Sequence, residues 1–161
     1  MVSETDKAWL AGIVDGEGCI TFHRNRSGSN KATPAFYVCN TNETLMLKVV
    51  SILKSEGIEY YYRVRTKSEE SKKNRGWKDV YSLRVSKIDS LTKFLLLIRP
   101  YLISKCQQSD LVYQSLLATN KLNGLKDGSI NEIRIPYANR VWELNKKGNK
   151  PLVHIPTLKE I

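Results

Sequence analysis

The sequence is poor in the residues that most often bind transition metals or cross-link a chain. Its 161 residues include two histidines, His23 and His154, and three cysteines at positions 19, 39 and 106, none in a Cys-x-x-Cys spacing. We therefore expect neither a zinc site nor a disulfide framework. Three free thiols favour an intracellular, reducing compartment such as a prokaryotic cytoplasm or an organelle matrix.

Long hydrophobic runs are also lacking. No stretch of about 18 apolar residues suggests a membrane-spanning helix, and no basic amphipathic segment suggests a membrane anchor. The segment from Met1 to Asp6 lacks the apolar run of a secretory signal. We expect an intracellular protein that is not secreted and has neither a membrane partner nor a small-molecule substrate.

Acidic residues are scarce relative to basic ones. Lysine and arginine total 26 against 16 acids, a formal net charge of +10. Such a charge favours a polyanionic partner. With 41% hydrophobic residues, the chain is expected to form a single domain over residues 1–161. Its core is predicted over about 7–120, with C-terminal helices and a tail over about 121–161.

One segment, from Trp9 to Ile20, combines an apolar helix with closely spaced glycines. Ala8, Gly12 and Gly16 share one helical face, along which a second helix can approach closely. Each helical glycine costs about 1 kcal/mol relative to alanine, so a compensating contact is expected. The opposite face, with Leu10, Ile13 and Val14, predicts burial in the chain's own core.

Two acids, Asp15 and Glu17, follow where this helix must stop, and Gly18 is predicted to end it in a left-handed conformation. Farther along, hydrophobic periodicity predicts the order α-β-β-α-β-β-α with helices appended. The main predicted segments are helices over about 43–55, 88–98 and 104–120, a loop from Ser68 to Gly76, a further helix opened by Pro136 and ended by Gly148, and an extended tail over 149–161.

The four predicted strands each have an aliphatic or aromatic face and a basic, polar one, which indicates an α+β layer with one sheet face left open. A basic open face suits duplex DNA, because the major groove admits a β-ribbon. A merely solvated face is the alternative. Candidate DNA-binding residues on the strands are Thr21, His23, Asn25, Tyr37, Tyr61, Arg63, Arg65, Lys67, Lys78, Ser82 and Arg84. Candidate phosphate-binding residues in the hairpin loops are Arg24, Arg26, Lys31, Lys72, Lys73 and Arg75.

The nonamer from Leu10 to Gly18, LAGIVDGEG, resembles the signature of the LAGLIDADG homing endonucleases, with Gly16 and Glu17 as its main departures. The resemblance implies the α-β-β-α-β-β-α homing-endonuclease fold, in which a four-stranded antiparallel curved sheet forms a DNA-binding saddle. A single motif implies a homodimer whose signature helices pack together, here through Ala8, Gly12 and Gly16.

The same resemblance implies site residues. The last acid of the signature binds the catalytic metal, which assigns Glu17 and the Gly16 carbonyl as ligands. The Pro-x-Leu-x-x-Lys segment from Pro100 resembles the family's lysine-bearing segment, which gives Lys105 the role of neutralising phosphate charge or orienting water. Asn40 falls where relatives carry a polar residue that orients the attacking water; capping of the next helix is the alternative role.

The residues around Lys105 allow a separate prediction. Ser104 and Gln107 have the spacing of a capping box, which would put Lys105 at the first helical position. A cation there opposes the helix dipole by about 0.3 to 1 kcal/mol. This mismatch suggests a role other than stability, although a lysine at a helix start is ordinarily a surface charge.

The function implied is a site-specific endonuclease, typical of intron-borne genes, that breaks both strands of a long pseudo-palindromic DNA target and leaves 3′ overhangs. It would use two or more Mg²⁺ ions per dimer, with Mn²⁺ or Ca²⁺ expected to substitute for binding. Two alternatives stay open. One is an intron RNA maturase, with Tyr37 and Tyr61 stacking on bases. The other is a DNA-binding regulator of the same fold that does not cleave.

Overall fold

Four antiparallel strands form one sheet in the computed structural model, which describes residues 2–24, 32–120 and 127–146. This confirms the α+β class, with a short extra helix between the last two strands. The elements are α1 (Glu4–Glu17), β1 (Gly18–Arg24), β2 (Ala32–Asn40), α2 (Glu43–Ser55), β3 (Tyr61–Arg65), α3 (Glu69–Arg75), β4 (Val80–Val85), α4 (Ile88–Ile98), a 3₁₀ turn (Arg99–Tyr101), α5 (Cys106–Asn120) and α6 (Asp127–Leu144).

The strand order is β1-β2-β4-β3, so that β2 and β4 lie in the centre. Alternating residues of the strands face the helices and form the core, as the sequence pattern predicts. Phe36, Val38, Leu83 and Val85 are all buried there. Phe36 stacks on Phe94 of α4, with ring centroids 4.4 Å apart.

The helix α1 divides into a buried and an exposed face. Leu10, Ala11 and Val14 are fully buried, whereas Gly12 and Gly16 are exposed. Ser3 begins the helix, because its side chain accepts a hydrogen bond from the Asp6 amide.

The predicted left-handed end of this helix at Gly18 is wrong. Gly18 is extended, with φ −82° and ψ 162°. Glycine is required for a different reason: a Cβ atom here would lie 2.8 Å from a ring carbon of Phe36 and 2.8 Å from the Val14 carbonyl oxygen. Close packing of the helix end against β2, not backbone conformation, therefore selects this glycine.

The predicted loop from Ser68 to Gly76 is largely the helix α3. Asp79 ties its base to the sheet, accepting hydrogen bonds from the Lys67 amide at 2.8 Å and pairing with the Lys72 amino group at 3.2 Å. Gly76 ends the helix with φ 62°. The Lys67–Asp79 hydrogen bond joins residues 12 positions apart, a contact that the polar composition of the segment does not predict.

Two predictions about the C-terminal helices are corrected. Lys105 is not the first residue of α5 but caps it, since its carbonyl accepts from the Ser109 amide at 3.0 Å. Pro136 lies inside α6 instead of opening it. Tertiary contacts compensate for the lost backbone hydrogen bond, because Ala138 and Val141 are fully buried.

Helix α6 also covers the outer edge of β1. Trp142 Nε1 donates to the Phe22 carbonyl at 2.8 Å, and Asn145 Nδ2 donates to the Ile20 carbonyl at 3.0 Å. These bonds satisfy backbone groups that an edge strand otherwise leaves open. Within the described ranges, no helix is long and apolar enough to cross a membrane. The predicted Gly148 helix end, the tail and His154 lie outside those ranges.

Candidate active site and nucleic-acid interface

The C-terminal end of α1 is the point where the signature segment meets Lys105. The last carbonyls of a helix lack partners within it and carry partial negative charge, and α1 has no basic residue in its last turn. Lys105 supplies the cation from elsewhere in the chain, because its amino group donates to the Asp15 carbonyl oxygen. This contact brings the lysine to the turn that contains Gly16 and Glu17.

The Asp15 side chain fixes the loop that carries Lys105. Its carboxylate accepts from the Ile103 amide at 2.7 Å and from the Lys105 amide at 2.9 Å. Burial acts to raise the pKa of this carboxyl, but the hydrogen bonds from residues 103–105 outweigh it and lower the pKa. Asp15 was not among the predicted site residues, and its only sequence signal was its place inside the nonamer.

The predicted capping box does not form. The Ser104 side chain hydrogen-bonds to Asp15 instead of capping α5. The side-chain oxygen of Gln107 is buried and has no hydrogen-bond partner among the described residues. The unfavourable position of Lys105 at a helix N-terminus is therefore offset by its contact with the C-terminus of α1.

Glu17 is exposed at the end of α1, and its carboxylate is free of the contacts that hold Asp15. Carboxylate and backbone carbonyl oxygens are the donors that Mg²⁺ and Ca²⁺ prefer, so Glu17 and the Gly16 carbonyl suit such an ion chemically. No cluster of three or more ligating side chains occurs in the described part of this chain.

Asn40 lies near the same region but is partly engaged in a turn. It is two residues past Val38, which pairs with Gly18. Its side-chain oxygen accepts from the Asn42 amide at 2.8 Å, while Asn42 caps α2. Asn40 therefore does not cap α2, as the alternative predicted; Asn42 caps the helix, and the Asn40 oxygen accepts from the Asn42 backbone amide.

The open sheet face brings candidate DNA-binding residues of all four strands into rows. One row crosses the sheet as Cys19, Tyr37, Arg84 and Tyr61. Toward the β3–β4 connection the next rows contain Ser82 with Arg63, and Val80 with Arg65. Toward the β1–β2 connection they contain Thr21 and His23.

Several side chains on this face already contact one another. The guanidinium of Arg84 lies 5.5 Å from the Tyr61 ring centroid, and the His23 and Tyr37 rings are 6.5 Å apart. Ser82 donates to the Arg63 carbonyl at 3.2 Å.

The other candidates include exposed residues and residues that the structure does not describe. Arg63, Arg65 and Lys78 are exposed. Arg24 ends β1, whereas Asn25, Arg26 and Lys31 lie outside the described residues.

The face of α1 that carries Ala8, Gly12 and Gly16 is open. A Cβ atom added at Gly12 or Gly16 would meet nothing within 4 Å, and Ala8 is exposed. Among the described residues, no contact requires either position to be glycine.

An apolar helix with an open small-residue face and a terminal acid, next to a four-stranded sheet with an open basic face, is the arrangement of the homing-endonuclease fold. The family model described as a LAGLIDADG-like domain matches residues 4–99 of the 161-residue chain. The chain therefore belongs to the LAGLIDADG family.

Solved structures agree. The homing endonuclease I-CvuI, in complex with the I-CreI target in the presence of Mg with the DNA not cleaved, is 26% identical, with a TM-score of 0.64 over 93% of this chain and 87% of that one. I-CvuI with its own target in the presence of Ca is 27% identical, with a TM-score of 0.62 over 94% and 90%.

The archaeal intron-encoded I-Vdi141I complexed with DNA is 15% identical, with a TM-score of 0.61 over 93% and 90%, and shows the fold alone. Among curated proteins, none matches this chain.

Proposed function

We propose that this protein is a metal-dependent homing endonuclease that cleaves both strands of a specific DNA target as a homodimer. The observation that carries the proposal is the contact of the Lys105 amino group with the Asp15 carbonyl, next to the exposed carboxylate of Glu17. An acid suited to a hard cation and a fixed lysine thus share one helix end, an arrangement that suits metal-assisted hydrolysis of a phosphodiester. The I-CvuI structures contain target DNA with Mg or Ca.

Each residue at this end has a distinct role in the proposal. Glu17 and the Gly16 carbonyl hold Mg²⁺, which when bound supplies Lewis acidity and an activated water. Lys105 offers positive charge to the phosphate, and the Asp15 carboxylate keeps the Lys105 backbone in place. Asn40 would hydrogen-bond water through the amino group of its side-chain amide, since the oxygen accepts from the Asn42 amide.

Homodimerisation follows from the number of acids. One protomer offers one free carboxylate at the end of α1, whereas a cut in both strands needs a centre for each. The open face of Ala8, Gly12 and Gly16 allows two α1 helices to pack closely and brings two copies of Glu17 together. Two-fold symmetry then predicts a pseudo-palindromic target, and we expect cleavage to leave 3′ overhangs.

The basic open sheet face is the proposed binding surface for that target. Arg63, Arg65 and Arg84 can donate bidentate hydrogen bonds to guanine, whereas Tyr37, Ser82 and Thr21 suit other base edges. Double-stranded DNA fits the net charge of +10.

Glu17→Gln tests the proposal directly. We expect the variant to lose Mg²⁺-dependent cleavage of a target selected from a randomised DNA library, while its affinity for that target stays nearly unchanged. Glu17→Asp, which restores the usual signature acid, should retain cleavage. Glu143→Gln removes an exposed carboxylate that pairs with Arg140 at 3.0 Å on α6, and serves as the matched control.

A Glu17→Gln variant that cuts at the wild-type rate would contradict the metal-ligand assignment. A wild type that binds DNA without nicking it in Mg²⁺ would instead favour a regulator. Selective binding of intron RNA would favour a maturase.

A further inference from the structure

The connection between β3 and β4, residues 66–79, forms a tip that contains α3 and, after it, the exposed Trp77. We infer that Trp77 packs against the sugar–phosphate backbone of the DNA flank, beyond the base pairs that the sheet contacts, with Lys67 and Arg75 on adjacent phosphates. The protein would then need a longer duplex than its sheet spans. This inference rests on the proposed DNA-binding function.

The tip is a built structure. Asp79 joins the two ends of the tip by accepting from the Lys67 amide at 2.8 Å, and it holds α3 by pairing with the Lys72 amino group at 3.2 Å. Lys72 also pairs with Glu69 at 3.2 Å within α3. These hydrogen bonds, largely with Glu69 and then Asp79, raise the pKa of Lys72. Lys72 therefore has a structural role in the tip, and other cations are better placed to meet a ligand.

Trp77 is the unusual residue of the tip. Its side chain is 44% exposed, although an indole gains much from burial. The Lys67 amino group lies 4.6 Å from the ring centroid, and the Arg75 guanidinium carbon lies 5.0 Å from it. An exposed indole with two cations over its ring presents apolar surface and positive charge together, which matches the chemistry of a nucleic-acid backbone, where sugars alternate with phosphates.

The position of the tip also fits a contact with the DNA flank. Arg65 pairs with Val80 at the last step of the β3–β4 ladder, and the tip continues from there. A duplex that follows the open face past Arg65 meets the tip next. Lys73 and Lys78 are exposed on the same connection and add positive charge.

The expected contact is independent of base sequence, because every nucleotide presents the same sugar and phosphate. The indole would lie on deoxyribose, and its N–H would donate to a phosphate oxygen. This distinguishes the tip from the sheet face, whose arginines are aimed at base edges.

The test measures affinity for the selected target in duplexes with full flanks and with flanks trimmed on both sides. The wild type is expected to lose about tenfold in affinity on trimming. Trp77→Ala should lose a similar factor on the long duplex and respond little to trimming, and Trp77→Phe should keep most of the dependence. Flanks of different sequence should behave alike.

Lys48→Ala is the matched control. Lys48 also lies over a tryptophan, 4.8 Å from the Trp9 ring, and pairs with Asp6 at 3.1 Å, but it belongs to α2 on the opposite side of the sheet. Its removal deletes one positive charge and one cation–ring contact, the same losses that each substitution of Lys67 or Arg75 causes. The full dependence on flank length should remain.

Hydrogen exchange of the α3 amides shows whether Trp77→Ala keeps the tip folded. If Trp77→Ala unfolds the tip, the Lys67→Gln/Arg75→Gln double variant is measured instead. Glutamine removes both positive charges but keeps aliphatic stems over the indole. Loss of the flank dependence in the deciding variant supports the inference, and an undiminished dependence overturns it. So does a wild type that binds its target equally well without flanks. A wild type that binds no duplex refutes the proposed function itself.

Discussion

Lys105 lies at two helix ends at once, the N-terminus of α5 and the C-terminus of α1. Its backbone begins α5, where a cation is unfavourable by about 0.3 to 1 kcal/mol. Its amino group reaches the Asp15 carbonyl at the end of α1, where a cation is favourable. The two effects are similar in size and opposite in sign, so folding stability gives little reason for a lysine here.

Lys105→Ala is therefore expected to slow cleavage much more than it destabilises the fold. Loss of one preorganised charge at a transition state typically costs about 100-fold in rate, whereas the free energy of unfolding should change by less than about 1 kcal/mol. Lys105→Met, which keeps the length of the side chain, should be equally slow. Single-turnover cleavage with protein in excess excludes binding and product release, and an unchanged rate there would make Lys105 an ordinary surface residue.

Asp15 is expected to make the stability of the fold depend on pH in the acid range. Because its pKa is lower in the folded chain than the ordinary value of 3.8, the carboxylate stabilises the fold above that value, and the stabilisation is lost as pH falls through the folded pKa. Asp15→Asn should reduce the free energy of unfolding by about 1 kcal/mol at neutral pH.

Urea unfolding of both proteins measured from pH 7 to pH 2.5 checks this. The difference between wild type and Asp15→Asn should shrink below about pH 4. Asp6 and Asp79 also have lowered pKa values and remain in both proteins, so their contributions cancel in the difference. A difference that stays constant with pH would contradict the role given to Asp15.

At the scale of elements, two kinds of glycine occur in and directly after α1: those with open space around them and one that is tightly packed. Gly12 and Gly16 have open space around them, whereas Gly18 has none. The first kind matters only if another molecule covers that face. The second is needed by the protomer itself, because a side chain there would collide with Phe36 and the Val14 backbone.

Two substitutions separate these requirements. Gly12→Leu should leave the protomer folded but force a second α1 helix away, so that sedimentation equilibrium shows monomer. Gly18→Ala should cost about 1 to 3 kcal/mol of stability through overpacking and still form a dimer at concentrations where it is folded. A monomeric wild type that cuts both strands, or a dimeric Gly12→Leu, would exclude the proposed interface.

At the scale of the whole molecule, the proposed binding mode assigns base contacts to the sheet and phosphate contacts to its connections. Arg65→Ala and Arg84→Ala should each cost about 1 to 3 kcal/mol at particular base pairs. Lys73→Ala, on the exposed side of α3, should weaken binding evenly across sequences and reduce the salt slope by about 1. Lys72 does not suit this comparison, because its pairs with Glu69 and Asp79 also hold the tip together.

Binding profiles over all single-base variants of the target, taken at several salt concentrations, test this division. Equal, sequence-independent losses for all three variants would contradict it. Lys48→Ala is a suitable control, since it removes a positive charge from α2, on the helix side of the sheet.

Local patterns in the sequence determined which residues form most helices and strands and which face each presents. Strand alternation correctly assigned Phe36 and Val38 to the core, and Tyr37, Arg63 and Arg84 to the open face. Periodicity suffices there because it reflects contacts between near neighbours in the chain and one buried surface. The nonamer likewise identified the family, since its residues are contiguous.

Tertiary structure alone decided what distant segments do to one another. The strand order places Tyr37 beside Arg84, and the fold joins Asp15 to Lys105 across 90 residues of sequence. It also allowed Pro136 inside α6 and gave Gly18 its steric role. Such contacts depend on which elements pack together, and no periodicity within one element records that choice.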